Sequence, residues 1–190
     1  MQTIPVNERA QTTRHNYFRC FRTILLQAFN EGYLRENLKR AAPFSALTGL
    51  RFGDIQALTW DKLEHQPGEG YYLNFTMRKT GGIMRLPISE QAVELMGNRG
   101  KYGEYVFPKL SRDPLYRQAL REWVYDAGIQ KHISFHCFRH SFATNQLTAG
   151  TDITTVSKML GHSDLKTTMI YAKVVDNVKR EAADRVKLEF

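Results

Sequence analysis

Residues 71–77 (YYLNFTM) and 83–88 (IMRLPI) are the one place in this chain where aromatic and branched residues gather without helical spacing, and they flank the turn-forming KTGG. Two such runs around a Gly-containing reversal predict a β-hairpin with Lys79 at its tip end. Nearly every other apolar pattern recurs at three or four residues, so the remainder has to be helical and the hairpin must lie against helices. The expected fold is therefore mainly α with a small antiparallel β-hairpin or sheet, an α+β architecture.

The helical stretches are punctuated by caps and glycines. Phe18, Phe21, Leu25, Ala28 and Phe29 make an apolar stripe over residues 12–31 that Gly32 closes, with Arg14, Arg19 and Arg22 on the polar side. Pro43 is expected near the start of the next helix. Gly49 interrupts the run, and Phe52, Ile55 and Leu58 resume it, which puts Arg51 at a helix-turn-helix junction. Further helices are predicted over 89–97, from about Leu115 to Ala127 with Trp123 and Val124 facing the core, and from Ser134 to Leu147. Asp152 caps a helix that runs to Gly161, Ser163 or Asp164 caps a short one through Thr168 to Tyr171, and a polar helix is expected over 175–187. There is no internal repeat and no flexible linker. One junction, Asn37 to Ala42, joins two helices with almost no connection.

A length of 190 residues suits one domain with room for a fragment of another. No run approaches the roughly 18 apolar residues of a membrane span, and the opening lacks a signal-peptide core, so a soluble intracellular protein is expected. Cys20 and Cys137 are too few and too far apart for a disulfide framework or a thiolate zinc site. With 27 Lys and Arg against 19 Asp and Glu, the net charge of +8 favours a polyanionic partner.

Arg51, Lys79, His136, Arg139, His140, His162 and Tyr171 are spread over four segments. Singly, each has an ordinary explanation as a solvated cation or a hydrogen-bonded histidine; if they meet, they form an electropositive pocket around a tyrosine. His136 and Arg139 are three apart and share a helix face, whereas His140 is expected to face elsewhere or on the flank, in a packing or hydrogen-bonding role. Asp54, one turn from Arg51, is expected to hold that guanidinium. Zinc held by His136, His140 and His162 lacks the acidic base of an HExxH site, and the GK[ST] order of a phosphate-cradling loop is absent. A phosphodiester under attack needs what remains. Two guanidinium forks clamp the nonbridging oxygens, a tyrosine attacks, a histidine takes its proton and a lysine protonates the departing oxygen. Such chemistry calls for no metal or other cofactor.

These segments resemble the four boxes of the tyrosine recombinase (phage-type integrase) catalytic domain, in particular in integrases of mobile elements from Bacteroides-like bacteria. ALTGLRFGDIQAL resembles the first arginine box, MRKTGG with IMRLPIS the lysine hairpin, FHCFRHSFAT the His-x-x-Arg-His box, and TVSKMLGHSDLKTTMIYAKV the tyrosine box. The resemblance, over roughly residues 41–180, implies Arg51, Lys79, His136, Arg139 and His162 as catalytic residues with Tyr171 as nucleophile. Asp54 and His140 then support them, and Arg51, Arg139 and Lys79 contact the DNA phosphate. It implies site-specific recombination of double-stranded DNA through a 3′-phosphotyrosyl intermediate. It also implies self-association into a tetrameric synapse on DNA, accessory DNA-bending proteins, and a cytoplasmic, nucleoid-associated location away from membranes. Residues 1–38 resemble the last helix of a core-binding domain, and 39–190 the catalytic domain without its usual linker and first helix. Type IB topoisomerase-like relaxation, or a nonenzymatic DNA-binding remnant, are the alternatives.

Overall fold

The computed structural model describes residues 36–171, so the helices expected over 12–31 and 175–187 lie outside the described residues. Helix α1 (Glu36–Thr48) leads into a short α2 (Phe52–Gln56) and a 3-10 turn at Trp60–Lys62. Strands β1 (Leu63–Gln66), β2 (Gly70–Thr76) and β3 (Ile83–Ile88) follow, then α3 (Glu90–Met96), α4 (Pro114–Asp126), α5 (Phe135–Thr148) and α6 (Ile153–Met159). Two 3-10 turns, Leu165–Thr167 and Met169–Tyr171, complete the described chain. The protein is thus mainly α with a small antiparallel sheet, as its patterning predicts.

The sheet has the order β1-β2-β3, and its register aligns Leu63 with Leu73 and Leu73 with Leu86. These three leucines make a buried row against the helices, extended on the same face by the Phe75 and Met84 pair. Strand β1 was not expected because LEHQ carries a single apolar residue; pairing with β2 and burial of Leu63 supply what its pattern lacks. The hairpin tip is closed by Met77 N–H to Gly82 O at 2.9 Å and Gly81 N–H to Met77 O at 2.8 Å, which leaves Lys79 exposed.

Two further expectations are corrected. Pro43 lies inside α1, not at its start. An interior proline costs about 3 kcal/mol of helix stability, and the complete burial of Ala41, Ala42 and Phe44 around it offsets that cost. Nor do two helices meet at Asn37–Ala42: α1 runs unbroken through residues 38 and 39, and Leu38 belongs to the main core. That core centres on Phe44 and Phe107, whose ring centroids are 5.2 Å apart, and on Ile55, Leu73, Leu86, Trp123 and Val124.

Local caps set the helix ends that carry function. Asp152 accepts from the Thr154 and Thr155 N–H groups at 2.9 Å to start α6, and the Ser134 hydroxyl and Cys137 thiol box the start of α5. A smaller cluster of Phe142, Ala143, Leu147, Val156 and Leu160 joins α5 to α6 and takes in Tyr171.

Candidate catalytic site

Arg139 is the hinge of the site. It projects from α5 and is 5% exposed, and its guanidinium donates to Gly49 O at 2.5 Å and Leu160 O at 2.6 Å. The ends of α1 and α6 are thereby tied to α5. Gly49 makes the approach possible: its φ of +70° suits glycine, and a Cβ there would stand 2.6 Å from the Phe142 ring. Arg139 Nη2 also lies 3.1 Å from His162 Nε2. These bonds leave Nε–H and one Nη1–H for a ligand. Burial, then the like charge of Arg51, lowers the Arg139 pKa to about 10, so it stays cationic at neutral pH.

His162 follows from Arg139. A guanidinium only donates, so His162 Nε2 accepts, and Nδ1 carries the proton and donates to the Thr168 hydroxyl at 2.8 Å. Desolvation, with Arg139, Arg51 and Lys79 nearby, pushes its pKa down to about 4, which matches a neutral ring. Thr168 is completely buried and orients this histidine. Sequence reasoning passed over Thr168, because a threonine six residues after a histidine carries no local signal.

Tyr171 is 8% exposed on the last 3-10 turn, held by its N–H to Thr168 O at 3.0 Å and by packing against Phe142, Leu147 and Leu160. Its hydroxyl hydrogen-bonds His140 Nδ1. Burial raises the phenol pKa against the opposing effect of Arg139, and burial lowers that of His140, so both groups are held neutral. The hydrogen-bonding role expected of His140 is present, but the ring does not face elsewhere: it bridges Tyr171 and His136, whose ring centroid is 4.5 Å from its own at a near-perpendicular 87°. The i,i+4 relation across one turn of α5 makes that contact. His136 is exposed, and desolvation, Arg139, Arg51 and Lys79 lower its pKa.

Arg51 caps α2 with extended backbone (φ −71°, ψ 149°), and its guanidinium lies 3.5 Å from Gly161 O and 3.9 Å from Met77 Sδ. The expected Asp54 contact is not made. Because Arg51 stands at the cap, its side chain leaves the i,i+3 ridge that would meet Asp54. The buried Asp54 carboxylate instead accepts from Arg78 N–H at 2.9 Å and anchors the tip that carries Lys79. Arg51, Arg139, His136, His140, His162 and Tyr171 therefore converge, with Lys79 on the exposed tip alongside Arg51. Among the described residues, no three His, Cys, Asp or Glu side chains group as metal ligands would.

The architecture is that of recombinase catalytic domains. The catalytic domain of bacteriophage HP1 integrase matches with a TM-score of 0.65 at 23% identity, covering 88% of this chain and 91% of that one. The XerH site-specific recombinase bound to palindromic difH substrate, a post-cleavage complex, matches with a TM-score of 0.68 at 18% identity, over 88% of this chain and 51% of that one. The chain belongs to the phage integrase family, whose model matches residues 23–177. A tyrosine recombinase of Pseudothermotoga lettingae is 32% identical over 149 residues, 74% of this chain and 51% of that protein. The chain spans about half the length of the curated relatives it matches.

Proposed function

We propose that this chain cleaves and rejoins double-stranded DNA as a site-specific recombinase. The Tyr171 oxygen attacks a backbone phosphorus, the bond to the 5′ oxygen breaks, and a 3′-phosphotyrosyl ester forms. The Tyr171 proton passes to His140 Nδ1, with His136 next in line, and Lys79 protonates the departing 5′ oxygen. Arg51 and the uncommitted N–H groups of Arg139 stabilise the charge on the nonbridging oxygens. His162, kept neutral by desolvation and by the charge of Arg139, orients Arg139 and borders the phosphate. Attack by a partner strand's 5′-hydroxyl reverses the reaction, and exchange between two duplexes requires self-association on DNA.

The observation that carries this reading is the hydrogen bond from Tyr171 to His140 in the neighbourhood of Arg139. A second support is that a relative of the same fold is described bound to its DNA substrate after cleavage. The wider association with mobile elements is supported by the family match and by the likeness to bacteriophage HP1 integrase, whereas the likeness to Bacteroides-like integrases in particular rests on the sequence boxes alone. The test is trapping on a nicked duplex carrying the element's end. A covalent protein-DNA adduct is expected with the native chain, in the presence of a chelator, and is lost in Y171F. Duplex binding at low salt without an adduct, where a full-length relative reacts, overturns the proposal.

A further inference from the structure

Beside Arg51 lies a cleft of about 480 Å³ that the chemistry above does not use in full. Arg51, Arg78, Lys79 and Arg112 line it together with Gly53, Asp54 and Gln56. Helix α2 is its floor, the hairpin tip is one wall and the loop before α4 is the other.

Both walls are pinned to that floor. Asp54 accepts from Arg78 N–H at 2.9 Å, and Gln56 Nε2 donates to Leu110 O at 2.8 Å, two residues before Arg112. The Arg112 guanidinium sits 5.7 Å from the centre of the Phe52 ring and rests against Gly53, where an added Cβ would lie 3.1 Å from Nη2. Arg112 therefore crosses the residues immediately after Arg51. Asp54 is the one carboxylate on the lining, and it is turned to a backbone N–H. Among the described residues no carboxylate makes an ion pair with Arg51, Arg78, Lys79 or Arg112. Four cations that share one lining, none of them in an ion pair among the described residues, repel one another, and the arrangement is best satisfied by a bound polyanion. Guanidinium forks match the paired oxygens of a phosphate.

We propose that Arg78 and Arg112 form a second phosphodiester subsite, which holds the DNA backbone phosphate next to the scissile one and sets the register of the strand against Tyr171. This rests on the proposed function, because Arg51 is shared by the two subsites. Arg78 and Arg112 are positioning residues: they hold the strand and touch no reacting atom.

The test uses the full chain with R112Q, R78Q and R112K, and R121Q on α4, outside the cleft, as a control for bulk charge. Duplex affinity is measured against salt, and a single neutral methylphosphonate is moved along each strand. Loss of one phosphate contact lowers the slope of log K against log salt by about 0.9. R112Q and R78Q are expected to show that change and a roughly tenfold weaker affinity. R112K keeps the slope but loses part of the affinity, since an ammonium carries the charge without the fork. One methylphosphonate position should weaken the native chain about as much as R112Q does, and should weaken R112Q no further. Inorganic phosphate should compete only at concentrations where general salt screening competes equally. Unchanged slopes in both glutamine variants, an equal change in R121Q, or additive losses at every methylphosphonate position overturn the subsite. If the native chain forms no Tyr171 adduct but the methylphosphonate match persists, the subsite stands and the catalytic reading falls. An adduct with no methylphosphonate match leaves the catalysis and removes the subsite.

Discussion

Replacing Arg139 by alanine removes a tie-bar as well as a phosphate ligand, and its cost to stability can be worked from its contacts. Its guanidinium bonds to two backbone carbonyls, Gly49 O at 2.5 Å and Leu160 O at 2.6 Å, from a side chain that is 5% exposed. Charge-assisted bonds of this kind contribute about 1.5–3 kcal/mol each, or about 3–6 together. Against that stands the burial and Arg51 repulsion that lower its pKa from 12.5 to about 10, a penalty of roughly 3 kcal/mol at ~1.4 per unit that the substitution relieves. Lost packing of the aliphatic stem adds about 1 kcal/mol. The net expectation is that R139A is less stable by about 1–4 kcal/mol, a fall in Tm of about 3–12 °C for a chain of this size. Urea and thermal denaturation followed by circular dichroism read this directly. A midpoint within about 1 °C of the native chain would falsify the view that Arg139 holds α1, α5 and α6 together. Activity measurements on R139A have to be made where the folded fraction is known, because lost adduct formation otherwise mixes unfolding with lost transition-state stabilisation.

Two further expectations concern the same neighbourhood. G49A places a Cβ at a φ of +70° and 2.6 Å from the Phe142 ring; left-handed strain and overpacking together should cost about 2–4 kcal/mol in a urea titration, and a loss below about 0.5 contradicts the contact. His162, whose pKa falls from its ordinary 6.5 to about 4, resists protonation when folded and accepts it when unfolded. Its contribution to stability is therefore present above pH 6.5 and is lost as the pH drops toward 4. The full shift corresponds to about 3 kcal/mol, reduced to about 1–2 because the ring is partly solvated. H162Q should flatten the stability profile between those pH values, and an unaltered slope refutes the half-buried neutral ring.

Local chemistry is what a sequence records best. The cap at Asp152, the hairpin strands and the inward faces of Trp123 and Val124 all follow from spacings of a few residues, and each is where the pattern puts it, while Asp164 takes the cap that the pattern left open between Ser163 and Asp164. β1 was missed because its stability comes from its partner strand, and Pro43 was misplaced because burial of its neighbours outweighs its propensity. Within the site, the residue types and their order were legible, but their bonding was not. Asp54 looked like the partner of Arg51 only if both sat on one helical ridge, and the extended backbone at the cap breaks that ridge.

By itself, then, the sequence determined a mainly helical chain with one small antiparallel element, a basic surface, and the set of arginines, lysine, histidines and tyrosine available for phosphodiester chemistry. Tertiary structure alone decided which of these touch. The Arg139 bonds to Gly49 and Leu160 span 90 and 21 residues, and the His140 contact with Tyr171 spans 31. Across such separations no periodicity operates; the close packing of α1, α5 and α6 brings the groups together, and with it comes the burial that holds His140, His162 and Tyr171 neutral.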